Sequence, residues 1–144
     1  MKKLIQLGSV LLLFLSACNN SPKEEETVKP ENGMDAAGEF IRAALDGDYR
    51  KARKFLVNDS TNKQTMDTYE NYYKNNRTPE DKKAYKEASI RFLKDTHQLN
   101  DSVSIIHYSN SYSNIPDSLK VVRINGRWFI DLNFRFQTKD SIPK

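Results

Sequence analysis

The sequence predicts an α+β fold, with three to four N-terminal helices packed on one face of a curved four-stranded antiparallel sheet. Three observations carry this. From Asp35 to about Glu87 apolar residues recur at three- and four-residue intervals, the spacing of buried helical faces. From Ala88 onward the period drops to roughly two, that of strands. Near the end, Asn125-Gly126 lies between two apolar-rich runs and is the pair that type I′ hairpin turns prefer.

Taken in order, Asp35 caps a first helix whose buried face is Ala36, Ala37, Phe40, Ile41, Ala44 and Leu45, and Gly47 ends it. Asp48 starts a short second helix with Tyr49, Ala52, Phe55 and Leu56 on one side and Arg50, Lys51, Arg53 and Lys54 on the other. Asp59 to Asn62 reads as a loop. Met66, Tyr69 and Tyr73 then share one face of a third helix that runs to about Asn76. Thr78-Pro79-Glu80-Asp81 supplies a cap, a proline at the first helical position and two acids in the first turn, so a fourth helix, or a continuation of the third after a kink, extends to about Glu87.

In the strand region, Ile90 to Leu93 begins the sheet, Leu99 to Ser102 turns, and Val103 to Asn110 returns. A loose connection at Asn114 to Asp117 leads into the closing hairpin. Placing Asn125 and Gly126 at the turn centre pairs Ile124 with Arg127, Arg123 with Trp128, Val122 with Phe129, Val121 with Ile130 and Lys120 with Asp131. One face then carries Leu119, Val121, Trp128, Ile130 and Leu132. That is the expected core face.

The N-terminal stretch has a different character. Lys2-Lys3 precede an apolar run from Leu4 to Leu15, and small Ser16-Ala17 precede Cys18, the layout of a secretory signal peptide. The run is about a dozen residues, short of the roughly 20 needed to cross a bilayer. Leu15-Ser16-Ala17-Cys18 resembles the lipobox of bacterial lipoproteins, which implies a lipid attached at Cys18 and a membrane-anchored chain. An ordinary signal peptide that contains a cysteine is the plainer alternative. The following "NNSPKEEETVKPENG" is too poor in apolar residues to fold alone and reads as a tether. Asn19, where an aspartate would favour inner-membrane retention, directs the expectation to the bacterial outer membrane. Lys23-Glu24-Glu25-Glu26 resembles acidic export tags, with a plainly solvated linker run as the alternative, so the domain is expected on the periplasmic side or at the cell surface. The expected division is residues 1–17 signal peptide, 18–33 acylated cysteine and flexible linker, 34–137 folded domain and 138–144 tail.

Composition excludes several classes. Losing Lys2 and Lys3 leaves 21 basic and 19 acidic residues and lowers the net charge from +4 to +2, so no basic stripe argues for nucleic acid. Cys18 is the one cysteine, leaving none for a disulfide or thiolate metal site, and the two histidines, His97 and His107, lack ligand spacing. No cofactor is expected.

"FIRAALDGDYRKARKFL" is similar to the opening helix pair of nuclear transport factor 2-like (cystatin-like) domains, and "VVRINGRWFIDL" to their closing hairpin. The resemblance is closest to the bacterial lipoprotein family called domain of unknown function 4878 and covers about Asp35 to Leu132. It implies a cone-like cavity between the first helix and the concave sheet. Members of that superfamily include enzymes and non-enzymes, so fold alone chooses no function.

Within such a cavity the candidate ligand-binding residues are Phe40, Tyr69, Tyr73, His107 and Trp128. His107 alternates with Val103 and Ile105 and is a candidate base pointing inward; a packed strand-end histidine is the alternative. Tyr69, Tyr72, Tyr73, Tyr85, Tyr108 and Tyr112 form an aromatic set suited to a cavity or an interface, against plain core packing. The basic run at Arg50 to Lys54 suits an anionic partner or is a solvated helix face. The leading expectation is a non-enzymatic envelope lipoprotein, with no catalytic residues, whose domain binds a small apolar ligand or an envelope protein. A small isomerase-like or hydrolase-like enzyme using His107 and a tyrosine is one alternative. A module that adds a partner strand to the sheet edge is the other.

Overall fold

The computed structural model describes residues 29–134, so Cys18, the signal peptide, most of the linker and the tail lie outside the described residues. The fold is α+β. Four helices, α1 (Gly33–Asp46), α2 (Tyr49–Arg53), α3 (Ser60–Asn76) and α4 (Pro79–Glu87), precede an antiparallel sheet. Its strands are β1 (Ile90–Phe92), β2 (His97–Asn100), β3 (Val103–Asn110), β4 (Asp117–Ile124) and β5 (Arg127–Asp131). The sheet therefore has five strands among the described residues, one more than expected.

The extra strand arises where one continuous strand and a turn were expected. β1 and β2 both pair with β3, in the order β1-β3-β4-β5 with β2 beyond β1 along the same edge of β3. Between them the chain leaves the ladder at Lys94-Asp95, after the Leu93 amide donates to the His107 carbonyl (2.8 Å). Asn100 then pairs with Val103 instead of turning, with the register shifting at Leu99, and the turn is confined to Asp101-Ser102.

Local chemistry sets the helix ends. Asn32, not Asp35, caps α1, accepting from the Asp35 amide at 2.9 Å, and Asp35 becomes the first-turn acid that suits the positive helix end. Gly47, at φ 76°, ends α1 in the left-handed conformation. Asp59 caps α3, so the expected loop at 59–62 is the first turn of a helix. Thr78 and Asp81 form a reciprocal capping box and Pro79 opens α4, as expected.

The closing hairpin has the expected register, from Lys120 opposite Asp131 to Ile124 opposite Arg127. Both turn residues adopt positive φ, Asn125 at 49° and Gly126 at 77°, as a type I′ turn requires. The outer edge of β5 is covered. Phe55, Leu56 and Val57 run alongside it, with the Ile130 amide donating to Phe55 (2.7 Å) and the Val57 amide to Ile130 (3.0 Å).

The core lies between α1 and the sheet face of Ile106, Leu119, Val121, Ile130 and Leu132, closed by Ala52, Phe55 and Met66. One polar residue is built into it. Asn62 is fully buried; its Oδ1 accepts from the Leu132 amide (2.7 Å) while its amide donates to Asp59 (2.7 Å), tying the start of α3 to the end of β5. Arg42 of α1 donates to the carbonyls of Ala88 (2.7 Å), Lys86 (3.1 Å) and Tyr85 (3.3 Å), satisfying the last turn of α4. No helix among the described residues is long and apolar enough to cross a membrane.

Candidate functional site

A cleft of about 680 Å³ lies between the helices and the sheet at the end where α1 finishes. Its floor is Phe40, Ile41, Ala44 and Leu45 of α1 with Leu119 and Leu132 of the sheet. Six of the chain's seven tyrosines line it: Tyr49 from α2, Tyr69, Tyr72 and Tyr73 from α3, Tyr85 from α4 and Tyr108 from β3. The rim is completed by Arg77 on the helix side, by Ser113, Ile115 and Pro116 from the β3 to β4 connection and by Asp117 at the start of β4. Such a volume lies within the range of small-molecule sites, about 300–1,000 Å³.

Sequence periodicity explains why the rings converge. Tyr69, Tyr72 and Tyr73 stand three and four residues apart, so they share a stripe of α3. Asp48 and Thr78 fix where α2 and α4 begin, and so where Tyr49 and Tyr85 project. Ring centroids then run Tyr49 to Tyr73 at 5.6 Å, Tyr73 to Tyr85 at 6.4 Å and Tyr85 to Tyr112 at 4.5 Å. These separations suit tilted and edge-to-face aromatic packing. Gly47 makes room for Tyr73, since a Cβ there would stand 2.8 Å from its ring and hydroxyl.

The electrostatics of the wall favour neutral donors over a base. Burial, with the neighbouring Tyr73 and Tyr85 phenols adding to it, pushes the Tyr49 hydroxyl up to about 12. Burial also raises Tyr73, with the Asp46 charge contributing. Both phenols therefore stay protonated near neutral pH. Asp117, the one carboxylate of the lining among the described residues, accepts from the Tyr108 hydroxyl (3.1 Å) and the Ser118 amide (2.8 Å). Arg77 lies over the rings of Tyr72 (5.2 Å) and Tyr85 (4.8 Å) and donates to the Tyr85 hydroxyl at 2.8 Å.

Of the five candidate residues, Phe40, Tyr69 and Tyr73 line this cleft and His107 and Trp128 do not. His107 sits on the other face of the sheet. β3 and β4 pair so that Ile106 opposes Leu119 and Tyr108 opposes Asp117, which turns Ile105 and His107 outward. There His107 Nδ1 meets Ser118 Oγ at 2.7 Å, and its ring stands edge-on to His97 at 5.7 Å. Trp128 is on the core face but at the opposite end of α1, where its ring would touch a Cβ at Gly33 (3.4 Å). The remaining lining tyrosines belonged to a visible aromatic set, except Tyr49, which read as a helix face. Nothing in the sequence marked Arg77 or Asp117, because their place depends on how the β3 to β4 connection folds over α3.

Two other features are resolved. Two of the four cations in the Arg50 to Lys54 run are paired with carboxylates, Lys51 with Glu39 (2.9 Å) and Arg53 with Asp67 and Glu70 (both 2.6 Å). No group of three or more metal-ligating side chains occurs among the described residues.

Comparisons with protein-family models, with curated proteins and with solved structures find no match for this chain.

Proposed function

We propose that this chain is a bacterial envelope lipoprotein, held at the outer membrane through lipid on Cys18, whose domain binds a small apolar or aromatic molecule in the tyrosine-lined cleft. The observation that carries the binding half is the convergence of six tyrosines from four different elements on one cleft of about 680 Å³. Tyrosine offers a large apolar body with a polar tip, which suits a ligand that is mostly apolar and oriented by a few hydrogen bonds. The anchoring half rests on the apolar run ending in Leu15-Ser16-Ala17-Cys18. Helices first and an antiparallel meander afterwards, with the cleft between α1 and the sheet, support a relationship to nuclear transport factor 2-like domains of the 4878 lipoprotein family.

The enzyme reading draws less support. Its base, His107, is on the far side of the sheet, and burial holds the protons on the Tyr49 and Tyr73 phenols. Tyr108 with Asp117 is the acid-base pair that reading now requires. Strand addition also draws little, since β1 has three residues and the chain leaves that edge before β2.

Native mass spectrometry of the chain purified from its own envelope fraction tests both halves. The expected result is a diacylglycerol-sized increment on the N-terminal peptide, absent in Cys18→Ala, together with a co-purifying small molecule that is lost in Tyr69→Ala. An unacylated N-terminus sinks the anchor. A bound molecule indifferent to the tyrosine substitution sinks the cleft.

A further inference from the structure

We infer that the cleft selects monoanionic ligands, a carboxylate on an apolar or aromatic body, with Arg77 as the anion anchor; this rests on the ligand-binding reading above. The arginines around this layer are used differently. Arg42 and Arg53 are committed to carboxylates, at 3.0 Å and 2.6 Å, while no carboxylate among the described residues lies within 4.0 Å of Arg77. Its contacts are two aromatic faces and one hydroxyl, so one N–H is spent and the guanidinium plane is held in place, while the charge of Asp81 acts on it from beyond 4.0 Å. A guanidinium has five N–H donors arranged as a fork that matches a carboxylate. Among the described residues Arg77 is also the single cation of the lining.

The rest of the cleft narrows the class. Asp117, on the sheet wall, is already engaged by Tyr108 and Ser118 and brings one negative charge of its own. Among the described residues the lining supplies one cation, and one cation can compensate a single added negative charge far better than two. A carboxylate is thus favoured over a phosphate monoester dianion. The apolar floor and the tyrosine walls take the body of the ligand, with its head toward the helix-side rim.

The test is calorimetric titration of the full chain, in a nonionic detergent with the blank subtracted, using naphthalene-2-acetate and its neutral counterpart naphthalene-2-acetamide. The acetate is expected to bind about tenfold or more tightly than the amide, the size of one charge-assisted bidentate contact. Arg77→Gln is expected to bring that ratio close to one, and Arg77→Lys to restore part of it. Arg77→Gln is expected to bind the amide as the native chain does, which a misfolded variant would not. Equal binding of the two probes to the native chain overturns the anion selectivity and leaves the cleft a binding site. Binding of neither probe overturns both readings.

Discussion

The two ends of the layer between α1 and the sheet are built from the same helix and the same strands, yet one is filled and the other open. At the filled end Gly33, Ala36 and Ala37 let the helix approach closely: Ala36, Ala37, Val121 and Ile130 are wholly buried, and a Cβ at Gly33 would already touch Trp128 and Val121 at 3.4 Å. Two turns further on, α1 presents Phe40, Ile41, Ala44 and Leu45, and rings from α2, α3, α4 and β3 stand around them instead of packing flat. Small side chains close a gap by bringing backbones together, whereas large amphipathic ones hold walls apart and keep their polar tips near water. The difference teaches that stability and binding are segregated along one helix, and substitutions should separate them.

The largest expected effect is at the filled end. Ile130→Ala removes a fully buried side chain at the centre of the core and should cost about 2–5 kcal/mol in denaturant unfolding. Ligand affinity measured well below the new midpoint should be unchanged. An equal loss of affinity would show that the two ends are one mechanical unit.

Gly47→Ala tests the junction. It forces a side chain into a left-handed conformation, at about 1–2 kcal/mol, and drives a Cβ to 2.8 Å from Tyr73. Stability and binding should fall together here, because the same residue ends α1 and seats a wall ring. A variant that loses stability but binds normally would mean that Tyr73 yields without consequence.

Alkaline pH isolates the open end without mutation. Burial raises the Tyr49 phenol to about 12 in the folded chain, while the unfolded chain ionises near the ordinary value of 10. The contribution of Tyr49 is thus fully present below pH 10 and lost as pH rises through about 12. Melting at pH 9 and at pH 11.5 should show a steeper alkaline fall for the native chain than for Tyr49→Phe. Equal slopes would mean that the Tyr49 hydroxyl is wetter than its burial implies.

How much of this was legible follows from how local each determinant is. The hairpin register was readable because Asn125-Gly126 fixes it within two residues, and the start of α4 because Thr78, Pro79 and Asp81 act within one turn. The side taken by His107 was not. Ile105-Ile106 puts an apolar residue on each face of β3, so parity alone cannot say which face is inward. The answer comes from pairing with β4 across the irregular Ser111 to Pro116 connection, where Asn114 adopts a φ of 55° and no standard two-residue turn sets the register. Arg77 was invisible for the same reason: its role needs the fourth helix and that connection to meet, a long-range event. Tyr69 and Tyr73 were readable as one face of α3, but whether that face was core or cavity depended on how small the facing residues of α1 were.

The smallest expected change in stability carries the sharpest reading of function. Tyr72 is 53% exposed at the rim, and its ring supports Arg77 at 5.2 Å. An exposed side chain away from the core usually contributes within about 0.5 kcal/mol, so Tyr72→Ala should melt almost where the native chain does. Yet it removes both a stacking surface and one of the two rings that hold the guanidinium, so binding of an aromatic carboxylate should weaken about five- to twentyfold. Tyr72→Phe keeps the ring and should bind normally. A stability loss in place of a binding loss would make the exposed tyrosine a packing residue, and the open end of the layer would then be an imperfectly filled core.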